Sequence, residues 1–193
     1  MKTLAIVISI LSFAVSGATA WFTVFRRGRL RITRPNIIAF TFDGPNGPPK
    51  IFLRALLFST SRGGHVIETM YLKLKMSKTT RVYSDWGYGD DKLMFGSGLH
   101  VPFEGLVTNH HFLLPKNNQE YAIAAGEYTI ELYAKVVTKN ATKLVFETTL
   151  SLDDANAQLL NNRDHVIFTW DPIQQRYTSS SESSKKFRVL FAV

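Results

Sequence analysis

Residues 126–152 limit what this chain can fold into more than any other stretch. Tyr128, Ile130, Leu132, Ala134 and Val136 share one parity, and Thr129, Glu131, Tyr133 and Lys135 share the other. A period of two sends alternate side chains to opposite faces of an extended strand. Residues 138–142 carry no apolar run and supply a turn. Leu144, Phe146, Thr148, Leu150 and Leu152 then alternate again. Two such runs joined by a polar turn form a β-hairpin, and a hairpin sets an antiparallel sheet.

The rest of the chain repeats this grammar in shorter pieces. Ile38, Phe40 and Phe42 alternate before the Pro- and Gly-rich turn at 44–49. Residues 51–58 are apolar on both parities apart from Arg54, which predicts a strand covered on both faces. Residues 65–76 alternate, with Glu68 sharing the parity of Met70, Leu72 and Leu74; a register shift near Glu68 would account for it. Short extended pieces are expected at 80–84, 92–95, 99–103, 106–114, 166–170 and 187–193. Residues 85–91 read as a glycine-rich loop and 178–186 as a serine-rich one. Residues 153–160 predict a helix of about two turns capped by Ser151 or Asp153.

Nine or ten short strands and one short helix, without a βαβ rhythm, predict an all-β antiparallel sandwich forming one domain over 36–193. Gly126-x-Tyr128 at the head of an alternating strand resembles the penultimate strand of immunoglobulin-like domains, where a tyrosine braces a corner. The resemblance spans about ten residues and implies an immunoglobulin-like sandwich; a jelly-roll-like one is the alternative. The paired cysteines of true immunoglobulin domains are absent, since the chain has no cysteine.

The N-terminus has the build of a secretory signal peptide over 1–20. Lys2 is the positive start, 4–15 is apolar apart from Ser9 and Ser12, and Ala18-Thr19-Ala20 is a small-x-small cleavage site. A retained anchor over 4–25 is the rival, because that stretch carries no charge and is long enough to span a bilayer. Arg26, Arg27, Arg29, Arg31 and Arg34 follow in a basic arm over 21–35. They account for most of the net charge of +8. The arm suits a membrane surface or another polyanion, or an edge strand guarded by arginines. Nucleic acid is not an expected partner. Export without cysteine points to a bacterial periplasm or cell surface. Asn140 heads a glycosylation sequon at the predicted hairpin tip.

Two groups of residues look like sites. Trp86 and Tyr88 lie between glycines, and flat aromatic rings suit sugar rings or a partner's apolar patch. Asp85, Asp90 and Asp91 beside them offer oxygen ligands of the kind Ca²⁺ takes, but their spacing matches no EF-hand loop. His100, Glu104, His110 and His111 form the second group. Adjacent His110 and His111 point to opposite faces of a strand, so they do not ligate one ion. No metal or cofactor is expected. There is no G-x-S-x-G elbow, no phosphate-binding glycine loop and no cysteine nucleophile.

The leading expectation is therefore an exported β-sandwich that binds a protein or glycan and is not an enzyme. An envelope-polymer hydrolase and a structural envelope component tethered by its N-terminus are the alternatives. Cleavage after Ala20 predicts a mature chain beginning at Trp21. Intact-mass measurement of the exported protein checks this, and a retained Met1 or Lys2 terminus would favour the anchor.

Overall fold

The computed structural model describes residues 2–25, 28–77, 79–89, 92–95, 98–115, 122–137 and 141–180. An apolar helix α1 (Lys2–Ala20) leads through a π-helical turn (Trp21–Phe25) into the domain. The strands are β1 (Leu30–Ile32), β2 (Ile37–Phe42), β3 (Pro49–Ser59), β4 (His65–Met76), β5 (Thr79–Gly89), β6 (Lys92–Phe95), β7 (Leu99–Val101), β8 (Leu106–Leu113), β9 (Gly126–Val136) and β10 (Thr142–Leu152). Helix α2 (Asp154–Asn161) then precedes β11 (Val166–Asp171) and β12 (Arg176–Ser180). The predicted strand over 187–193 lies outside the described residues.

All described strands belong to one sheet with the order β10-β9-β4-β5-β8-β3-β2-β11-β12; β1 pairs with β3, β6 with β5 and β7 with β4. Every pairing is antiparallel. The expectation of antiparallel β structure holds at that coarser level. What the strands build is a single sheet curled into a nearly closed barrel. Eight antiparallel steps separate β10 from β12, so the two ends run in the same direction. The antiparallel ladder used everywhere else cannot join them. They nevertheless approach to within 8 Å, Cα to Cα. Asn156 Nδ2 bridges the seam, donating to Ser179 Oγ at 3.1 Å.

The inner face follows from alternation. Leu72 stands opposite Leu132, Met70 opposite Ala134 and Leu74 opposite Ile130 across β4 and β9. These side chains join Phe40, Leu53, Tyr83, Phe112 and Phe168 in one buried cluster. The β4–β9 register shifts between Ile67 and Thr69, so Glu68 is the bulged residue and its carboxylate meets Lys135 Nζ at 2.8 Å in solvent. The bulge also turns Ile67 inward. A second shift between Leu144 and Phe146 puts Leu144 opposite outward Tyr133. Leu144 is therefore outside, and the expected unbroken alternation of β10 holds only from Phe146 onward.

Two local devices fix the ends of the central hairpin. Asp153 caps α2 by accepting from the backbone N–H of Asn156 at 2.7 Å. Tyr128 Oη donates to the Ala124 carbonyl at 2.7 Å and accepts from the Ala124 N–H at 3.2 Å. The phenol thus closes the corner before β9. Gly126 between them has φ +148°, a conformation that favours glycine. Tyr128→Phe is expected to cost about 1–2 kcal/mol, read as a lower denaturant midpoint with an unchanged slope. An unchanged midpoint would show that the corner holds without the hydroxyl.

Candidate functional site

The site lies where β5 changes partners. Its first half pairs with β4 as far as Tyr71 opposite Ser84. Its second half turns away into a hairpin with β6, with Trp86 opposite Phe95 and Gly89 opposite Lys92. The start of β4 pairs instead with β7, Ile67 opposite Leu99. On the other side, β5 meets β8 only from Ser84 to Trp86. The sheet therefore opens between β4–β7 and β5–β8. Residues 85–91 were expected as a loop, and residues 85–89 are strand instead. Glycine weakens a strand interior, but here the hairpin ladder to β6 satisfies the backbone.

The rift holds a cavity of about 190 Å³ lined by Ile67, Thr69, Met70, Asp85, Trp86, Gly87, Gly98, Leu99, Thr108, Asn109 and His110. Asp85 stands opposite Phe112, a fully buried core residue, so it shares the inner face with Phe112 and with His110 two residues away. His110 packs over the Phe112 ring, centroids 6.2 Å apart. Its side chain is 3% exposed, and Nε2 has no hydrogen-bond partner among the described residues. Asp85 likewise makes no hydrogen bond or ion pair among them.

Both groups are shifted toward neutrality by the same cause. Desolvation raises the Asp85 carboxyl from 3.8 to about 7 and lowers the His110 imidazole to about 4. Burial disfavours the charged form of either. Two unpartnered polar groups with displaced ionisation, lining one cavity, are what a binding or reacting centre presents. The bulge at Glu68 adjoins this rift, and bulges concentrate beside such sites.

The other expected site residues fall elsewhere. His111 points outward, opposite Trp86 on β5 and Phe52 on β3. Its ring meets Phe52 edge-on at 5.0 Å, and burial, reinforced by Lys50, lowers it to about 4. His100 and Glu104 are exposed and do not line the rift. The four residues His100, Glu104, His110 and His111 thus form no common constellation. Among the described residues no three His, Asp or Glu side chains are placed to hold a metal ion. Tyr88 is in β5, opposite Leu93. Asp90, Asp91, Arg26, Arg27 and Asn140 lie outside the described residues.

The basic arm is woven into the sheet rather than left as a leader. Leu30 and Ile32 pack against the core while Arg29 and Arg31 are exposed, as an arginine-guarded edge requires. Thr33 and Leu56 exchange two hydrogen bonds, one through Thr33 Oγ1. The Arg34 guanidinium lies 3.9 Å over the Trp170 ring. Sequence reasoning missed Thr69, Met70, Leu99, Thr108 and Asn109, because only the exchange of strand partners brings them to Asp85. Comparison with family models, curated proteins and solved structures found no match to this chain.

The carboxyl shift has a definite sign in stability. Between pH 3.8 and about 7 the folded chain holds a proton on Asp85 that the unfolded chain has released. The contribution of Asp85 is thus full below pH 4 and lost as pH rises through 7. Asp85→Asn removes that loss. The variant is expected to be more stable than the parent at pH 8 by roughly 2–4 kcal/mol, with the difference fading toward pH 4. Denaturant melts at the two pH values check this; equal gains at both would mean Asp85 does not titrate as described.

Proposed function

We propose that the chain is an exported β-barrel-like binding module of the periplasm or cell surface, and that its rift takes one sugar ring of a glycan. The observation that carries this reading is the presence of half-buried Asp85 and buried His110 in one cavity, both without partners among the described residues. Unsatisfied buried polar groups cost stability, so a fold that keeps two of them together keeps them for something that bonds to both. Sugar hydroxyls donate and accept, which suits a neutral imidazole, a carboxyl near its midpoint, the Asn109 amide and the Thr108 hydroxyl. Ile67, Met70 and Leu99 offer the apolar surface that a ring's C–H face needs. The cavity is smaller than the ~300 Å³ at which ordinary small-molecule pockets begin, which favours a single ring over an extended ligand.

Binding is preferred to catalysis on the same geometry. Glycoside hydrolysis in its usual form takes two carboxyl groups, and Asp85 is the only carboxylate among the described lining residues. The apolar N-terminal helix, compatible with a signal sequence or an anchor, supports export.

A glycan array probed with the full chain, followed by titration of the best hit, tests the reading. Asp85→Asn is expected to bind about tenfold more weakly, near 1.4 kcal/mol, while melting higher at pH 8. Trp86→Ala is expected to weaken binding comparably. Weaker binding in a more stable protein separates lost contacts from lost fold. Absence of any glycan hit, or full affinity in both variants, would overturn the proposal.

A further inference from the structure

A second cavity neighbours the rift across the β4–β9 pairing, its Val136 opposite Ile67 and its Ala134 opposite Met70. It measures about 260 Å³ and runs between β1 and the β9–β10 hairpin. Leu30, Ala134, Val136, Leu144 and Val145 form the apolar part of its lining, beside the buried His65. Its charged lining residues are Arg29, Arg31 and Lys143, with no carboxylate among the described lining. None of the three cations is in an ion pair among the described residues. Like charges gathered without a counter-charge repel one another, so an anion seated among them relieves the cluster.

What the cleft admits is limited by its width. β1 and β10 approach to within 8 Å, Cα to Cα. An inserted strand needs about 9.5 Å, two spacings of ~4.8 Å. Where the strands come this close a peptide cannot join the sheet, whereas a compact anionic group with a short apolar continuation suits a cleft of this volume. On the anchor reading, in which α1 is retained, the position of the cleft points to the source of that group. Helix α1 is apolar and wholly exposed. Its 19 residues reach about 28 Å, close to the hydrocarbon thickness of a bilayer. Only eight residues separate Ala20 from Arg29 in the cleft wall.

We propose that this cleft seats the phosphate headgroup of an anionic glycerophospholipid, with the glycerol and uppermost methylenes against Leu30, Val136 and Val145. Arg29, Arg31 and Lys143 surround the phosphodiester, and guanidinium groups match its oxygens in a two-point fork. The lipid holds the domain down on the membrane surface and leaves the rift, on the other side of the β4–β9 pairing, for its own ligand. This binding stands or falls separately from the glycan reading.

Native mass spectrometry of the detergent-solubilised full chain tests it, with phosphatidylglycerol, phosphatidylcholine and free glycerol phosphate added in parallel. One phosphatidylglycerol is expected to stay bound at concentrations where phosphatidylcholine does not. The Arg31→Ala/Lys143→Ala double variant should retain it at least tenfold less well, with an unchanged melting curve because both side chains are exposed. Arg62→Ala, an exposed arginine outside the cleft, should retain it fully. Equal retention of both lipids, or full retention in the double variant, would overturn the proposal. Glycerol phosphate binding as tightly as phosphatidylglycerol would also overturn it, by showing a site for free phosphate rather than for lipid.

Discussion

The antiparallel ladder sets the terms for everything else in this molecule. Each strand must find hydrogen-bonding neighbours, and each neighbour reverses direction. A path of nine strands reverses eight times, so its last strand runs with its first. The sheet curls until its ends approach, and the antiparallel ladder that joins its other strands cannot close it. Among the described residues no ladder joins β10 to β12, and a side-chain bridge from Asn156 to Ser179 spans the seam instead. The rift has the same origin. β5 is too long to stay beside β4 once its far end is claimed by β6, and the start of β4 is claimed by β7. Both cavities are places where the ladder runs out of partners.

Those openings expose the interior to charge, and the chain handles two carboxylates in opposite ways. Glu131, on the outer face of β9, is paired with Lys75 and accepts the Tyr133 hydroxyl at 2.9 Å. Hydrogen bonding to Lys75 holds its carboxyl below the usual range and raises the lysine in turn. The pair sits beside a stack of Tyr71 on Tyr133, with Lys73 Nζ 4.9 Å from the Tyr133 ring. Every polar group there has a neighbour, as cross-strand pairs on a wet face normally do. Asp85 has none, and burial pushes it the other way. Ionisation is thus distributed by burial and partnership rather than by residue type. The unsatisfied carboxyl is the one next to a cavity.

Much of the frame was legible in the sequence. Alternation located β9 and β10. The misplaced charge of Glu68 marked the β4 bulge, because a carboxylate on an apolar parity needs an extra residue to reach solvent. Asp153 was readable, with Ser151 as the alternative, as a cap from its place before a helical run. Tyr128 was readable as a corner brace from the glycine before it, although the resemblance that suggested the brace does not carry the sandwich with it. What escaped was set by non-local pairing. The glycines of β5 look like loop residues until β6 supplies their hydrogen bonds. Thr178, Ser179 and Ser180 look like a polar loop until they pair with Thr169, Phe168 and Ile167. The bulge at Val145 has no local signal, since Leu144 is as apolar as the inward leucines beyond it. The site shares this limit: Asp85 and His110 were each noticed, but nothing in a linear reading brings β5 beside β8.

The arginine arm shows how one segment can serve fold and surface together. Its apolar residues, Leu30 and Ile32, extend the inner face along β3. Further along, Arg34 stacks on Trp170, and Tyr177 Oη donates to the Pro35 carbonyl at 2.6 Å. Desolvation raises the Tyr177 phenol well above its ordinary value, which keeps it a donor across physiological pH. The arm is therefore fixed by its backbone, including the two hydrogen bonds Arg29 exchanges with Thr60, and by contacts that do not use the Arg29 or Arg31 side chains. Charges that a fold does not need for its own packing, held rigidly at an unjoined seam, are free to be spent on a ligand at no entropic cost for ordering the backbone beneath them.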